Sequence, residues 1–412
     1  MGSKRVPEVR FEGFRDEWIA CKLGEKAEIL TGGTPRTQIR EYWEPKEVPW
    51  MSSGEINKKR ILYTDNKISK LGLNNSSARW ISENSVLIAL AGQGKTRGTV
   101  AINLIPLTIN QSIAAIIPKG ELYYEFIYQN LAKRYEELRI ISSGDGTRGG
   151  LNKQILSEIE IVAPSFNEQI KIGNLLKQLD ETIAFQQQDI DTLRQTKQGF
   201  LQKMFPKEGE SVPEIRFSGF SGEWERQKFK NLAKVRRGLT YTPISIRQNG
   251  VRVLRSSNIC DDTFVIGNDD VFVNPKAINI DFVKENDILI TAANGSSRLV
   301  GKHALIKNVG KDAVHGGFML VATAKIPLFI NAMMSSTWYK KFINVHVSGG
   351  NGAIGNLNKN ALEEQTVYVP QIEEQKMIGN FFGKLDNTIA LQQQELENLK
   401  QTKKAFLQKM FV

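Results

Sequence analysis

The sequence predicts an α+β chain: two α/β domains related by a pseudo-twofold axis and joined by an antiparallel coiled coil of two long helices. Three observations predict this. The chain repeats itself at half its length, each repeat ends in a long polar segment with a narrow apolar seam, and the remainder is broken into strand-sized apolar runs.

The repeat sets the domain organisation. Val6-Pro7-Glu8-Val9-Arg10-Phe11-Glu12-Gly13-Phe14 returns as Val212-Pro213-Glu214-Ile215-Arg216-Phe217-Ser218-Gly219-Phe220, and Glu17-Trp18 as Glu223-Trp224. Pro164–Phe205 aligns with Pro370–Phe411 without gaps, with more than half the positions identical. Between these ends the likeness fades. Ser52–Ile56 answers to Arg255–Ile259, Ser82–Ile88 to Lys284–Ile290, and Leu151-Asn152-Lys153 to Leu357-Asn358-Lys359. A near-constant frame thus carries two different middles. The expected divisions are 1–163 and 207–369 for the domains, and 164–206 and 370–412 for the helices.

The constant ends read as helices. Gln, Leu, Lys and Glu dominate Glu168–Met204, which has no Pro. Its seam runs Ile172, Leu176, Leu179, Ile183, Gln186, Ile190, Leu193, in steps of three and four. The second seam runs Ile378, Phe382, Leu385, Ile389, Gln392, Leu396, Leu399. Polar residues interrupt both at equivalent places: Gln186 and Lys197, Gln392 and Lys403. A polar residue in such a layer fixes register. Gln186 and Gln392 lie near the helix midpoints, so antiparallel pairing about the centres brings them together. Each helix would be about 55 Å long at 1.5 Å per residue. By the same symmetry, the short link from Phe205 to Val212 has a counterpart: Phe411 should lie close to Val6, within the roughly 25 Å that seven residues span. Two separate amphipathic helices, each packed on its own domain, are the alternative.

The middles read as mixed, strand-rich domains. Val86–Leu90, Thr99–Asn103 and Ile113–Ile117 are expected strands in the first. Val251–Arg255, Ile288–Ile290, His303–Ile306 and Phe318–Ala322 are expected strands in the second. Glu121–Leu138 and Ile326–Val345 are expected helices.

Composition narrows the function classes. Apolar residues make up 41% of the 412 residues, enough for ordinary cores. Cys21 and Cys260, the two cysteines, exclude a disulfide scaffold and read as small apolar residues in a reducing compartment. No apolar run reaches the roughly 18 residues of a membrane span, and no apolar core follows Met1-Gly2-Ser3-Lys4-Arg5 as a signal peptide would need. A cytoplasmic protein without membrane contact is expected.

The net charge of +11 suits a polyanion. Basic and amide side chains gather on the expected loops. Arg36, Lys58, Lys59, Arg60, Gln93, Lys95, Arg97 and Arg148 are candidate DNA contacts in the first domain. Arg252, Arg255, Asn258, Asn294, Ser296 and Arg298 are candidates in the second. Lys and Arg neutralise phosphates, and Arg, Asn and Gln can pair bidentately with base edges. Singly, each is better read as a solvated surface group; as a set on corresponding loops they favour DNA.

Catalytic signals are weak. Val86–Thr96 ends in Gly94-Lys95-Thr96 but has Ala89 where a phosphate loop needs Gly, and a strand, not a helix, is expected after it. There is no Asn/Asp-Pro-Pro-aromatic motif of a base methyltransferase. His303, His315 and His346 are too scattered for a metal site with two cysteines, so neither catalytic residues nor metal ligands are expected. Asp261-Asp262 and Asp269-Asp270 lack the Glu-x-Lys element of a restriction-type nuclease.

The whole chain resembles the specificity subunits of type I restriction-modification systems. The resemblance rests on the Val-Pro-Glu-x-Arg-Phe-x-Gly-Phe motifs, both Leu-Asn-Lys segments, Pro164-x-x-x-Glu168-Gln169 with Pro370-x-x-x-Glu374-Gln375, and both Phe-Leu-Gln-Lys-Met-Phe endings. It implies two target recognition domains, each reading one half of a bipartite double-stranded DNA site, with the helices setting the gap. It implies a non-catalytic subunit that recruits two modification (methyltransferase) subunits and restriction (translocase and nuclease) subunits for defence against phage. S-adenosylmethionine, Mg and ATP would then sit on the partners, and this chain would carry no cofactor. Because the reading loops differ, at 92–98 and 294–301, the target should be asymmetric. The rival is a self-contained DNA methyltransferase or nuclease with duplicated readers.

Overall fold

In a computed structural model, residues 6–92, 96–141, 150–310, 312–347 and 355–412 are described. The chain forms two compact units, Met1–Phe185 with Leu396–Val412, and Gln186–Glu395. Each unit therefore combines one domain, the start of the helix that follows it and the end of the other helix.

The first unit is built on a five-stranded sheet in the order Ala27–Thr31, Ile113–Pro118, Ser85–Ala89, Val100–Asn103, Arg60–Ile61. Neighbours are antiparallel except the last pair. Every residue of Ser85–Ala89 is buried, because the strand is covered on both faces. Val86 and Ile88 enter one apolar core, and Leu87 and Ala89 enter another. That is the period-two alternation of a strand. Each such Ile or Leu contributes about 1.5–3 kcal/mol. The helix α1 (Tyr124–Lys133) seals the first core with Phe126, Ile127 and Leu131. The long helix α2 (Phe166–Lys203) begins there.

The second unit repeats the plan. Ala233–Arg237, Met319–Ala324, Ile288–Thr291 and His303–Leu305 form an antiparallel sheet in that order. A helix, α3 (Pro327–Met334), covers it, and α4 (Ile372–Lys409) leads away from it. The expected strands are all present. The two shorter expected helices are each broken in two, at Arg134 and at Ser335-Ser336. At the second break the Ser336 hydroxyl donates to Met333 O (2.7 Å) and its backbone is extended, which starts a new helix at Thr337. Cys21 is half-buried, but Cys260 is exposed on a two-residue strand and is not a packed apolar residue.

The repeated motifs turn out to be joints. Arg10 grips Glu168, at the start of α2, through two bonds of 2.7 and 2.8 Å. Arg216 grips Glu374 of α4 in the same geometry, and both carboxylates are fully buried. Val9 N–H donates to Lys409 O (2.9 Å), and Ile215 N–H donates to Lys203 O (2.8 Å). The residues flanking Val6 thus lie against the end of α4, as symmetry required. Gln169 donates to Pro164 O (3.0 Å) and Gln375 to Pro370 O (2.8 Å), tying each helix to the strand before it. Leu151 N–H meets Leu90 O at 3.1 Å, and Leu357 N–H meets Ala292 O at 2.7 Å.

The helices pair antiparallel within each unit. In the second, Phe200 packs edge-on against Phe381, Lys197 pairs with Asp386 (2.6 Å), and the Gln186 amide reaches Gln392 O (3.5 Å). In the first, Lys403 pairs with Asp180. Both lysine interruptions of the seam are therefore answered by an aspartate of the facing helix. The outer turns differ from a plain coiled coil. Ile172 and Leu176 belong to the core of the first domain, and Ile378 and Phe382 to that of the second. The helix ends do the same: Met410 and Phe411 complete the first core, and Leu201, Met204 and Phe205 the second.

Candidate nucleic-acid interface

The described candidate contacts of the first domain fall into three groups, exposed, internally paired and half-buried. Arg36 and Lys59 are exposed, Lys59 at a positive φ of 63° that turns the chain after the helical turn Ser53–Lys58. Lys58 and Arg60 are held internally. The Lys58 ammonium lies between Glu55 (2.9 Å) and Asp65 (2.7 Å) and 4.4 Å from the Tyr63 ring centroid. Arg60 clasps the fully buried Glu125 of α1 through 2.9 and 2.7 Å bonds, 5.6 Å from the Tyr128 ring centroid. Arg60 ties a sheet edge to a helix; using it for DNA would leave Glu125 buried and unpaired. Arg97 is half-buried in the turn before Val100–Asn103. Gln93, Lys95 and Arg148 lie outside the described residues.

In the second domain the structure also separates similar residues. Arg252 pairs with Asp270 and lies 5.0 Å from the Phe272 ring centroid. Asn258 is fully buried: it accepts Arg255 N–H (2.7 Å) and donates to Val265 O (3.0 Å) and Asp270 Oδ1 (2.8 Å). Its side chain holds a turn together and has no face toward a ligand. Arg255 donates to Asp269 O (2.6 Å). Asn294 donates to Ser256 Oγ (3.1 Å) and accepts Ser296 N–H (2.9 Å). Ser296 and Arg298 are exposed.

Two of these residues meet in one place. Arg255 and Asn294 line a concavity of about 720 Å³ together with Tyr241, Pro243, Ile246 and the turn Gly316-Gly317-Phe318. Arg298 lines a separate one, of about 640 Å³, with Arg194, Lys302 and Lys340. The charge of the loops does not point to Tyr241 or Phe318. The signal for Phe318 lay in the repeat: at the constant offset it stands where the first domain has Ser112, directly before equivalent strands.

The frame is thus common to both units, while the turns at the ends of the central strands carry different side chains. A type I restriction modification DNA specificity domain, as a family, matches residues 15–195 and again 221–401. The chain belongs to this family. Among relatives, the specificity subunit of the MjaVIII type I restriction enzyme of Methanocaldococcus jannaschii is 21% identical, over 99% of this chain and 93% of its own. The EcoR124I/EcoR124II specificity subunit of Escherichia coli is 26% identical over 182 residues, 42% of this chain and 45% of that subunit. The MjaIX specificity subunit of M. jannaschii is 30% identical over 40% of this chain and 39% of its own. For these last two the match spans less than half of the relative's length. The crystal structure of the type I restriction-modification S subunit from M. genitalium superposes with a TM-score of 0.66 at 14% identity, covering 99% of both chains, and so shares the fold. No helix among the described residues is long and apolar enough to cross a membrane.

Proposed function

We propose that this chain is the DNA sequence-recognition subunit of a type I restriction-modification complex. Each domain reads one half of an asymmetric, bipartite double-stranded site. The paired helices set the spacing and dock two modification subunits, with restriction subunits joining them. The chain itself performs no chemistry; S-adenosylmethionine, Mg and ATP belong to the partners, and adenine methylation proceeds on a base flipped into a modification subunit.

The observation that carries this reading is one frame with two different sets of turns. Leu90 N–H donates to Ser112 O (2.8 Å) in the first domain, and Ala292 N–H donates to Phe318 O (2.9 Å) in the second. The backbone is the same and the outward side chain is not. Such duplication gives two half-site readers of different preference, whereas identical readers would give a palindromic site. The exposed Arg36, Lys59, Arg237 and Arg298 can supply phosphate contacts, which position a reader without specifying sequence.

The purified chain incubated with target DNA and S-adenosylmethionine should transfer no methyl groups, and adding the modification subunits should produce N6-methyladenine. Methylation by the chain alone would establish the rival, a self-contained methyltransferase.

A further inference from the structure

Phe318 is a large apolar side chain that the fold holds in solvent. It is 70% exposed, yet its backbone is fixed. Its carbonyl accepts N–H bonds from Ala292 (2.9 Å) and Ala293 (3.0 Å), and the next residue, Met319, is buried and donates to Gly316 O (2.8 Å). The ring stands between two concavities. One contains Arg255 and Asn294, and the other contains Arg237 and Lys359. An aromatic ring on a rigid turn with basic and amide groups on both sides is arranged for a ligand that is charged at its edges and apolar at one point.

We propose that Phe318 is a specificity-determining residue that reads the 5-methyl group of a thymine in the DNA major groove. This deepens, and rests on, the reading of the chain as a DNA-recognition subunit. The ring offers no hydrogen bond and cannot hold a phosphate. The major groove presents one apolar group, the thymine methyl, and phenylalanine is among the side chains that contact it. The exposed Arg237 suits a phosphate beside that point, while Arg255, paired with Asp269 (3.3 Å), and Lys359, paired with Glu363 (3.5 Å), share their donors with those carboxylates. The first domain has Ser112 at the same place, on the same backbone bond, so the methyl preference belongs to one half-site alone.

The test uses the full chain assembled with its modification subunits on a duplex carrying its mapped target. Each thymine is replaced in turn by deoxyuridine, which removes the methyl and nothing else. The expected result is one position, in one half-site, where the replacement weakens binding about fivefold, a contact of about 1 kcal/mol. Phe318→Ser should bind the thymine duplex as weakly as the native complex binds the uridine one, and should ignore the replacement. Phe318→Leu should retain most of the sensitivity. The ring is exposed, so neither change should alter the melting temperature. Uridine insensitivity at every thymine, or unchanged sensitivity in Phe318→Ser, overturns the proposal while leaving DNA recognition standing. Insensitivity is also the result if the ring stacks on an unpaired base. A native complex with no sequence preference at all overturns both.

Discussion

Replacing Arg10 by Met should loosen the first unit by a predictable amount. The guanidinium makes two short bonds to Glu168, whose side chain is fully buried, while Arg10 itself keeps 12% of its side-chain surface. The shared bonds hold the arginine's pKa above its ordinary value. Removing the arginine leaves a carboxylate with no counter-charge at the root of α2. Breaking a buried pair from one side costs about 3–5 kcal/mol. Some water can reach this site past Arg10, so about 3 kcal/mol is expected here. For a unit of this size, 1 kcal/mol moves the melting temperature by roughly 2–4 °C, giving a drop of about 6–12 °C. Calorimetry of the full chain should show this loss in one transition only. Arg216→Met should produce the same loss in the other, because Arg216 and Glu374 repeat the geometry. The double change Arg10→Met with Glu168→Leu should regain most of the stability, since the buried charge has gone. A single variant that melts within 2 °C of the native chain would refute the claim that these repeated motifs are structural joints.

Three further outcomes follow from the structure. The charge reversal Lys403→Asp should weaken the helix pair beside Asp180, and adding Asp180→Lys should restore it, as read by thermal unfolding of the doubly changed chain. Acid should unfold the second unit first. His303 and His315 are both buried there; burial pushes both pKa values down, that of His315 to about 4, and the first unit has no histidine. With the folded value depressed, this stability is complete above about pH 6.5 and is lost as pH falls toward 4, amounting for His315 to about 3 kcal/mol. Melting curves between pH 7 and 4.5 in which both transitions fall equally would contradict this. Finally, Lys59→Ala should weaken binding of the assembled complex to all sequences alike and reduce the slope of affinity against salt, whereas Arg60→Ala should lower stability because it strands Glu125.

The frame was legible in the sequence because it is written twice. A gap-free repeat exposed Arg10 with Arg216, Glu168 with Glu374, and the helix seams. Symmetry alone then brought Val9 to the end of α4. The partners of the seam lysines were not legible. Asp180 and Asp386 sit beside the apolar positions, and only the antiparallel register shows that each faces a lysine. The candidate interface was legible as a set of loops but not as a set of side chains. Arg36 and Arg60 look alike in sequence, yet one is exposed and the other is clasped by Glu125, 65 residues away. Asn258 read as a base contact because Asn can pair with adenine; in the fold the same amide closes a turn. Charge patterns reveal which residues can bind anions, and only the fold reveals which are already paired. Phe318 was not legible as a contact for the converse reason: it opens the expected strand Phe318–Ala322, and apolar strand residues are ordinarily core.

The most direct measurement of the central claim is base-resolution mapping of methylated adenines in cells that carry this chain and its partner subunits. A two-part motif with a fixed, unspecified gap and different sequences in its halves is the expected result, with one half changing when residues 226–369 are exchanged for those of a relative. A continuous or palindromic motif, or a motif indifferent to that exchange, would contradict the account.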